Sequence, residues 1–299
     1  MVTIGIQTYN RKDILEIMAK SLYKSDLNIP HNIRIYDDCS TEYGKDFLSK
    51  LFPTAKSIKI NPINFRADKN MYQMYADFVS TGDDYFFNAD SDLIFNNQWL
   101  NTAIDLIEKT DGVLSLFNAN SHNHYKIVDD ALCLKNTVGA AGVFFQRSRL
   151  VEVLIYFNSI HKVKGFDWQW SEFFTNNGVR IYCVNKSLVQ HIGYAGQNAG
   201  IWFDIGRNYT VETVADGQIM NDILEKSIDN IRIKDRDREE QINKIVTINE
   251  QLNKINEKRM YDFNYCFKRC IIIMLKKIMP KTIYSKLNLK FIKSKKTGT

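Results

Sequence analysis

The chain is short of the residues that would place it in a fibrous, disordered or disulfide-stapled class. It has four prolines and 14 glycines in 299 residues, too few for a collagen-like or low-complexity chain. Its five cysteines (Cys39, Cys133, Cys183, Cys266, Cys270) are scattered, with no C-x-x-C. That excludes a zinc ribbon and a disulfide framework and fits a reducing cytosol. No uncharged apolar run reaches the ~18 residues of a membrane-spanning helix. The opening MVTIGIQTYNRKD lacks a basic stretch before a long apolar run, so it reads as a buried first strand rather than a secretory leader. Several catalytic signatures are also missing: G-x-S-x-G, H-E-x-x-H, the Walker A loop and G-x-G-x-x-G. Serine hydrolase, zincin, P-loop kinase and dinucleotide-dependent dehydrogenase therefore have no support. Acids are missing from residues 263–299, which hold ten Lys or Arg, so the net charge of +6 belongs to the tail and the remainder is mildly acidic. A nucleic-acid-binding body, which needs a basic face, is disfavoured.

What is present is a globular composition, 44% hydrophobic and 12% aromatic. The first 120 residues alternate short β-branched runs with amphipathic helical patterns. Strands are expected at 2–7, 33–36, 57–60, 85–87 and 113–117, with helices at 13–23, 68–79 and 99–108. Further on, a helix is expected through Phe157 and a strand at 180–184. This alternation predicts an α/β fold with a mostly parallel sheet flanked by helices, and in such sheets ligands sit beyond the carboxyl ends of the strands. The polar segments fall there: Thr8-Tyr9-Asn10-Arg11, Asp37-Asp38-Cys39-Ser40-Thr41 and Asp90-Ser91-Asp92.

Two carboxylates at i and i+2 after an apolar strand can share one divalent cation with a diphosphate, and hard oxygen ligands suit Mg²⁺ or Mn²⁺. The same residues could cap the next helix. An acid at the end of the second strand can accept from a base or ribose, while Ser40 and Thr41 can cap a helix. Tyr9 can lay its ring against a base.

Taken in order, these segments resemble the GT-A glycosyltransferases, particularly the large family-two group. There the first strand ends in a T-[YF]-N-R-like turn, the second in D-D-x-S-T and the fourth in D-x-D. The resemblance covers roughly residues 1–215. It implies that Thr8 and Tyr9 touch the base, Arg11 belongs to the same turn, and Asp38 holds uracil or ribose. Asp90 would meet the ribose or a metal-bound water, Asp92 would ligate the metal, and Arg66 would lie near the diphosphate. Val138–Phe145 would be a small-residue strand flanking donor and acceptor sugars, where Gly139 and Gly142 allow close approach. Asp167, in Gly165-Phe-Asp-Trp-Gln-Trp170, matches the acceptor-side carboxylate that serves inverting members as catalytic base; it could instead cap its helix, and Glu172 competes for the role. His191, in Val-Gln-His-Ile-Gly193, resembles a late histidine given to the metal, or is a core histidine. His122 and His124, two apart, could bind a metal, but the plainer reading is that they line a polar acceptor loop or are solvated. A loop at Tyr194–Trp202 would close over the donor, hinged at Gly196 and Gly200.

The function implied is a metal-dependent, inverting, non-processive transfer of one sugar from a nucleotide donor, a UDP-sugar, to a saccharide or glycolipid hydroxyl in surface-polysaccharide or glycoconjugate synthesis. No Q-x-x-R-W appears, which argues against a processive synthase. The alternatives are a retaining transferase on the same fold and a non-catalytic sugar-nucleotide scaffold. The expected organisation is a catalytic domain over 1–215, its nucleotide half at 1–117 and acceptor half at 118–215. A helical spacer at 216–262 follows, with Ile242, Ile245, Ile248, Leu252 and Ile255 on one seam suited to homo-oligomer contact. The basic amphipathic tail, 263–299, would lie on an anionic membrane surface at the cytoplasmic face, or pack on protein.

Overall fold

The computed structural model describes residues 1–160, 165–193, 204–212 and 214–257. The loop expected at 194–202 and the tail at 263–299 lie outside the described residues. The elements run β1 (Val2–Thr8), α1 (Lys12–Lys24), β2 (His31–Asp37), α2 (Lys45–Leu51), β3 (Ala55–Ile60), α3 (Arg66–Val79), β4 (Tyr85–Asp90), β5 (Leu93–Phe95) and α4 (Trp99–Ile107). They continue with β6 (Val113–Ser115), β7 (His124–Ile127), β8 (Leu132–Lys135), β9 (Val143–Gln146), α5 (Arg147–Ser159), α6 (Phe166–Asn176), β10 (Ile181–Val184), β11 (Val189–His191) and α7 (Val214–Glu257).

Nine strands form one sheet in the order β3-β2-β1-β4-β9-β6-β10-β8-β7. The first four are parallel, as the β-α-β alternation predicts. β9 then runs antiparallel between β4 and β6, and β8 antiparallel to β10. The expected small-residue strand at 138–145 is thus only partly strand: 138–142 is loop, and β9 begins at Val143. Short runs such as β5, β7, β8 and β11 carry too few residues to show a period, and their pairing is decided by distant partners.

Alternate side chains along the strands serve opposite faces. Phe87 and Phe144 pack with Leu15, Met18, Leu48 and Trp99, from α1, α2 and α4. Phe86 and Phe145 pack with Met74, Tyr75, Leu150, Phe166 and Trp170, from α3, α5 and α6. Helices therefore cover both faces, which is why β1 and β4 are buried almost throughout and read as apolar runs. Trp99 anchors the first layer, its ring 4.6 Å from that of Phe87.

Contacts divide the chain into two units, Met1–Ile231 and Arg232–Thr299. The first extends past the expected boundary at 215, because Met220 and Ile223 of α7 are buried against Ile14, Ile94 and Ile192. Of the second unit, residues 232–257 are helical. The isoleucine seam falls mostly on side chains outside the described ones. Among the described residues no helix is long and apolar enough to cross a membrane.

Candidate active site

The carboxyl ends of β1, β2 and β4 open into one cavity of about 990 Å³. After β1 the chain turns sharply: Asn10 and Arg11 both take positive φ, 51° and 58°. Such conformations are costly outside glycine and persist only when surroundings hold them. Here they are held. Asn10 Oδ1 accepts the Thr41 N–H at 2.8 Å, Asn10 N–H donates to Ser40 Oγ at 2.8 Å, and the Tyr43 hydroxyl donates to the Asn10 carbonyl at 3.0 Å. The turns after β1 and β2 are thereby locked together.

Asp37 and Asp38 divide their work. Asp37 accepts from the backbone and hydroxyl of Ser40, shaping the turn. Asp38 lines the cavity; its Oδ1 accepts from Asn61 Nδ2 at 2.9 Å and from the Phe65 N–H at 2.7 Å. Asn61 also donates to Asn70, which donates to the Tyr36 carbonyl. This buried amide chain fixes the carboxylate between β2 and α3.

Asp90, Asp92 and His191 meet at the end of β4, each with a ligand atom within 4.8 Å of the other two. β5 pairs antiparallel with β11, setting Leu93 opposite His191, and the Ile192 N–H donates to the Asp92 carbonyl at 2.8 Å. That pairing brings a histidine beside an acid about a hundred residues earlier. Asp92 Oδ2 receives Arg11 Nη1 at 2.7 Å, and Oδ1 faces His191 Nε2 at 3.1 Å. Asp90 Oδ1 accepts from Gln7 Nε2 at 2.6 Å.

The charges follow from this crowding. Burial alone would raise the Asp92 carboxyl, but His191 and Arg11 hold it well below the usual carboxylate range. Burial raises Asp90, and the negative charge of Asp92 adds to it. Burial would lower His191, but Asp92 and Asp90 push it up to about 9.

Two observations show that a cation would fit. Asp92 Oδ1 is buried and meets His191 Nε2 at 3.1 Å in an ion pair rather than an aligned hydrogen bond, so two ligand atoms converge there. Gly193 also lies hard against the site: a Cβ there would stand 2.6 Å from Asp92 Oδ2 and 2.7 Å from His191 Cε1. Two carboxylates and an imidazole form a donor set that suits Mn²⁺ or Mg²⁺.

Of the residues singled out in the sequence, Thr8, Tyr9, Arg11, Asp38, Arg66, Asp90, Asp92 and His191 all line the cavity. Gly142 does not. It takes φ +75° and its Cα faces inward, where a Cβ would lie 2.8 Å from Val189 Cγ2. It is a packing and backbone residue, joined to Asn88 and Leu116 by main-chain hydrogen bonds.

Asp167 lies apart from the cavity lining, in the first turn of α6. Its Oδ1 accepts the Trp168 N–H at 2.9 Å. Burial raises its pKa, against hydrogen bonds from the main chain of residues 168, 167 and 140. Asp68 of α3 accepts the N–H groups of Gly165 and Phe166 at 3.3 and 3.4 Å, capping α6 from the donor side. Between the two regions is Tyr75, its fully buried hydroxyl without a partner. Burial raises the phenol, and the charges of Asp90 and Asp167 both add to the shift.

Sequence reading missed Gln7 and Gly193 as site residues and Asp68 as the cap of α6. Gln7 was legible in principle, as a polar residue in an otherwise apolar strand; the others depend on tertiary approach.

The model of glycosyl transferase family 2 matches residues 3–130. No curated protein matches the chain. Among solved structures, S. aureus TarS 1-349 is similar at 16% identity and a TM-score of 0.45, with 63% of this chain and 59% of that one covered. The same protein in complex with UDP-GlcNAc is similar at 16% identity and a TM-score of 0.47, covering 63% and 57%. The chain spans less than two thirds of the length of either structure. The matched segment holds β1 through β7, with the Asp38, Asp90 and Asp92 positions that motivated the resemblance. The chain is therefore a GT-A-fold protein that resembles glycosyl transferase family 2 through residues 3–130.

Proposed function

We propose that the chain is a metal-dependent, inverting, non-processive glycosyltransferase that moves one sugar from a UDP-sugar to a saccharide hydroxyl, in surface-polysaccharide or glycoconjugate synthesis. The observation that carries this reading is the convergence of Asp90, Asp92 and His191 at the end of β4, inside the matched segment's cavity and beside Asp38. Thr8 and Tyr9 offer a hydroxyl and a ring to a base, and Asp38 accepts from base or ribose. Arg66, exposed at the start of α3, can reach a diphosphate. Asp90, Asp92 and His191 would hold Mn²⁺ or Mg²⁺. Such a cation offsets the negative charge that builds on a departing diphosphate.

Asp167 supplies the base. A sugar hydroxyl is a weak nucleophile, and a carboxylate raised by burial takes its proton more readily. The hydroxyl oxygen forms the new bond to the anomeric carbon as the carbon–oxygen bond to the diphosphate breaks. The bonding pair leaves with UDP, and the proton goes to Asp167. Attack from the face opposite the leaving group inverts the centre.

The test compares thermal melts of wild type and Asp92→Ala with UDP, Mn²⁺ and both together. Synergy is expected in wild type, since a ligand at 100 times its dissociation constant adds about 2.7 kcal/mol. Loss of that synergy in the variant supports the reading. No shift with UDP and Mn²⁺ in wild type overturns it.

A further inference from the structure

Trp168 is an aromatic side chain that the core does not use. α6 carries two tryptophans; Trp170 is fully buried against Phe145 and Phe174, whereas Trp168 is 57% exposed, one residue after Asp167. The exposed ring is nonetheless held. Its centroid lies 5.4 Å from the His122 ring, with the planes tilted by 40°.

His122 comes from the loop after β6, and that loop is unusually well tied. His122 Nδ1 meets Thr137 Oγ1 at 2.9 Å. The Asp204 carboxylate accepts from the Asn120 N–H, the Ser121 N–H and the Ser121 hydroxyl, at 2.9, 3.0 and 2.6 Å. Lys135, 1% exposed, donates from Nζ to the Ala119 carbonyl at 2.8 Å. A buried ammonium is costly unless well bonded, and here its hydrogen bond holds the carbonyl three residues before His122. On the open side, a Cβ at Gly139 would come no nearer than 4.0 Å to His122 Nε2. Burial keeps His122 below its usual range, so the ring presents a neutral donor and acceptor.

We propose that Trp168 and His122 form a stacking corner for a pyranose ring of the acceptor, directly beside Asp167. The inference rests on the glycosyltransferase reading and names the acceptor's chemical class. A pyranose has a face of C–H groups, which packs on the electron-rich face of an indole, and a rim of hydroxyls, which needs polar partners. The corner supplies both. Indole gives the apolar platform, and His122 Nε2 meets the rim. The Asp167 carboxylate, tied to Trp168 by the 2.9 Å bond to its N–H, stands where a hydroxyl of the stacked sugar can lose its proton. A rigid, half-exposed ring also limits the ordering cost of binding.

The experiment is saturation-transfer difference NMR on the full chain with UDP and Mn²⁺ present. The probes are the methyl glycosides of glucose, galactose, mannose and N-acetylglucosamine. At least one glycoside is expected to show transfer, strongest to the ring protons of one face. Trp168→Gln removes the platform while keeping a helix-compatible exposed residue; binding weakens by about tenfold or more. Trp168→Phe keeps most of the signal, and His122→Ala weakens it. Melting temperature and its rise with UDP and Mn²⁺ stay at wild-type values in the Trp168 variants, which shows they are folded. Absence of transfer from all four glycosides to wild type, or equal transfer to Trp168→Gln, overturns the proposal while the nucleotide shift leaves the parent reading standing. Loss of the wild-type nucleotide shift itself defeats the parent reading instead.

Discussion

Replacing Gly193 by alanine crowds Asp92 and His191 without replacing any group that would bind a cation. Gly193 has no positive φ, so alanine fits its backbone, and the whole effect comes from one methyl. That methyl would stand 2.6 Å from Asp92 Oδ2, where ordinary contact begins near 3.4 Å. Asp92 or the strand end must therefore give by about 0.8 Å. Asp92 is 3% exposed and tied to Arg11 at 2.7 Å, and Gly193 follows the main-chain bond from Ile192 to Asp92, so neither side yields cheaply. A productive constellation tolerates displacements of about 0.5 Å. Disturbing the groups that orient metal ligands costs typically about 10- to 100-fold in metal affinity. The expectation is a fall of that size in Mn²⁺ affinity, measured by titration calorimetry in the presence of UDP, with near-wild-type circular dichroism. Unchanged Mn²⁺ affinity in a folded Gly193→Ala protein would refute the claim that Asp90, Asp92 and His191 hold the cation.

Asp167→Asn keeps the shape of the side chain and removes its basicity; transfer should slow by about 10²- to 10⁴-fold in kcat while the UDP and Mn²⁺ melt shift persists. Equal rates in variant and wild type would move the base elsewhere, with Glu172 the first candidate. The triad also sets a pH dependence. His191 is raised from 6.5 to about 9, so the stability it contributes to the metal-free protein is complete below pH 6.5 and is lost as pH rises through about 9. The melting temperature of metal-free wild type should thus fall relative to His191→Gln across that window, and Mn²⁺ affinity should rise, because the imidazole must shed its proton to ligate. A wild-type curve parallel to that of the variant would contradict the assigned contacts. Gly142→Ala forces a side chain into φ +75° and against Val189, and should destabilise by roughly 1–3 kcal/mol in chemical denaturation without changing nucleotide affinity. A stable Gly142→Ala protein that loses nucleotide binding would restore Gly142 to the site.

The parallel half was legible because β1 and β4 are buried almost throughout and amphipathic helices alternate with its strands. Each ends in a polar segment, so the positions of Thr8, Tyr9, Asp38, Asp90 and Asp92 followed from strand ends alone. The antiparallel strand β9 was not legible. Val143–Gln146 is only four residues long, and its place between β4 and β6 is set by partners on either side. The glycines just before it looked like a sugar-facing strand because close approach is what glycine permits; at Gly142 the close neighbour turned out to be Val189. His191 was assigned with Asp92 to the metal only through the resemblance; the strand pairing that joins them was not legible, since β5 and β11 have three residues each and show no period. Asp68 looked like an ordinary acid in the first turn of a helix, and only the fold reveals that it caps another one.

The pairing of β5 with β11 has a consequence for the order in which the molecule assembles. β1 joins β4 across 83 residues but with six paired residues, and β2 and β3 dock beside them over shorter spans, whereas the ribbon joins Leu93 to His191 across 98 residues with only three. Closing so long a loop carries an entropic cost that three rungs recover only once β6, β9 and β10 are in place. The nucleotide-facing half can therefore reach its native shape while the acidic triad is still open. In hydrogen exchange, the amides of Leu93–Phe95 and Val189–His191 should be the first of the buried strands to exchange, and a cation bound at the triad should slow them most.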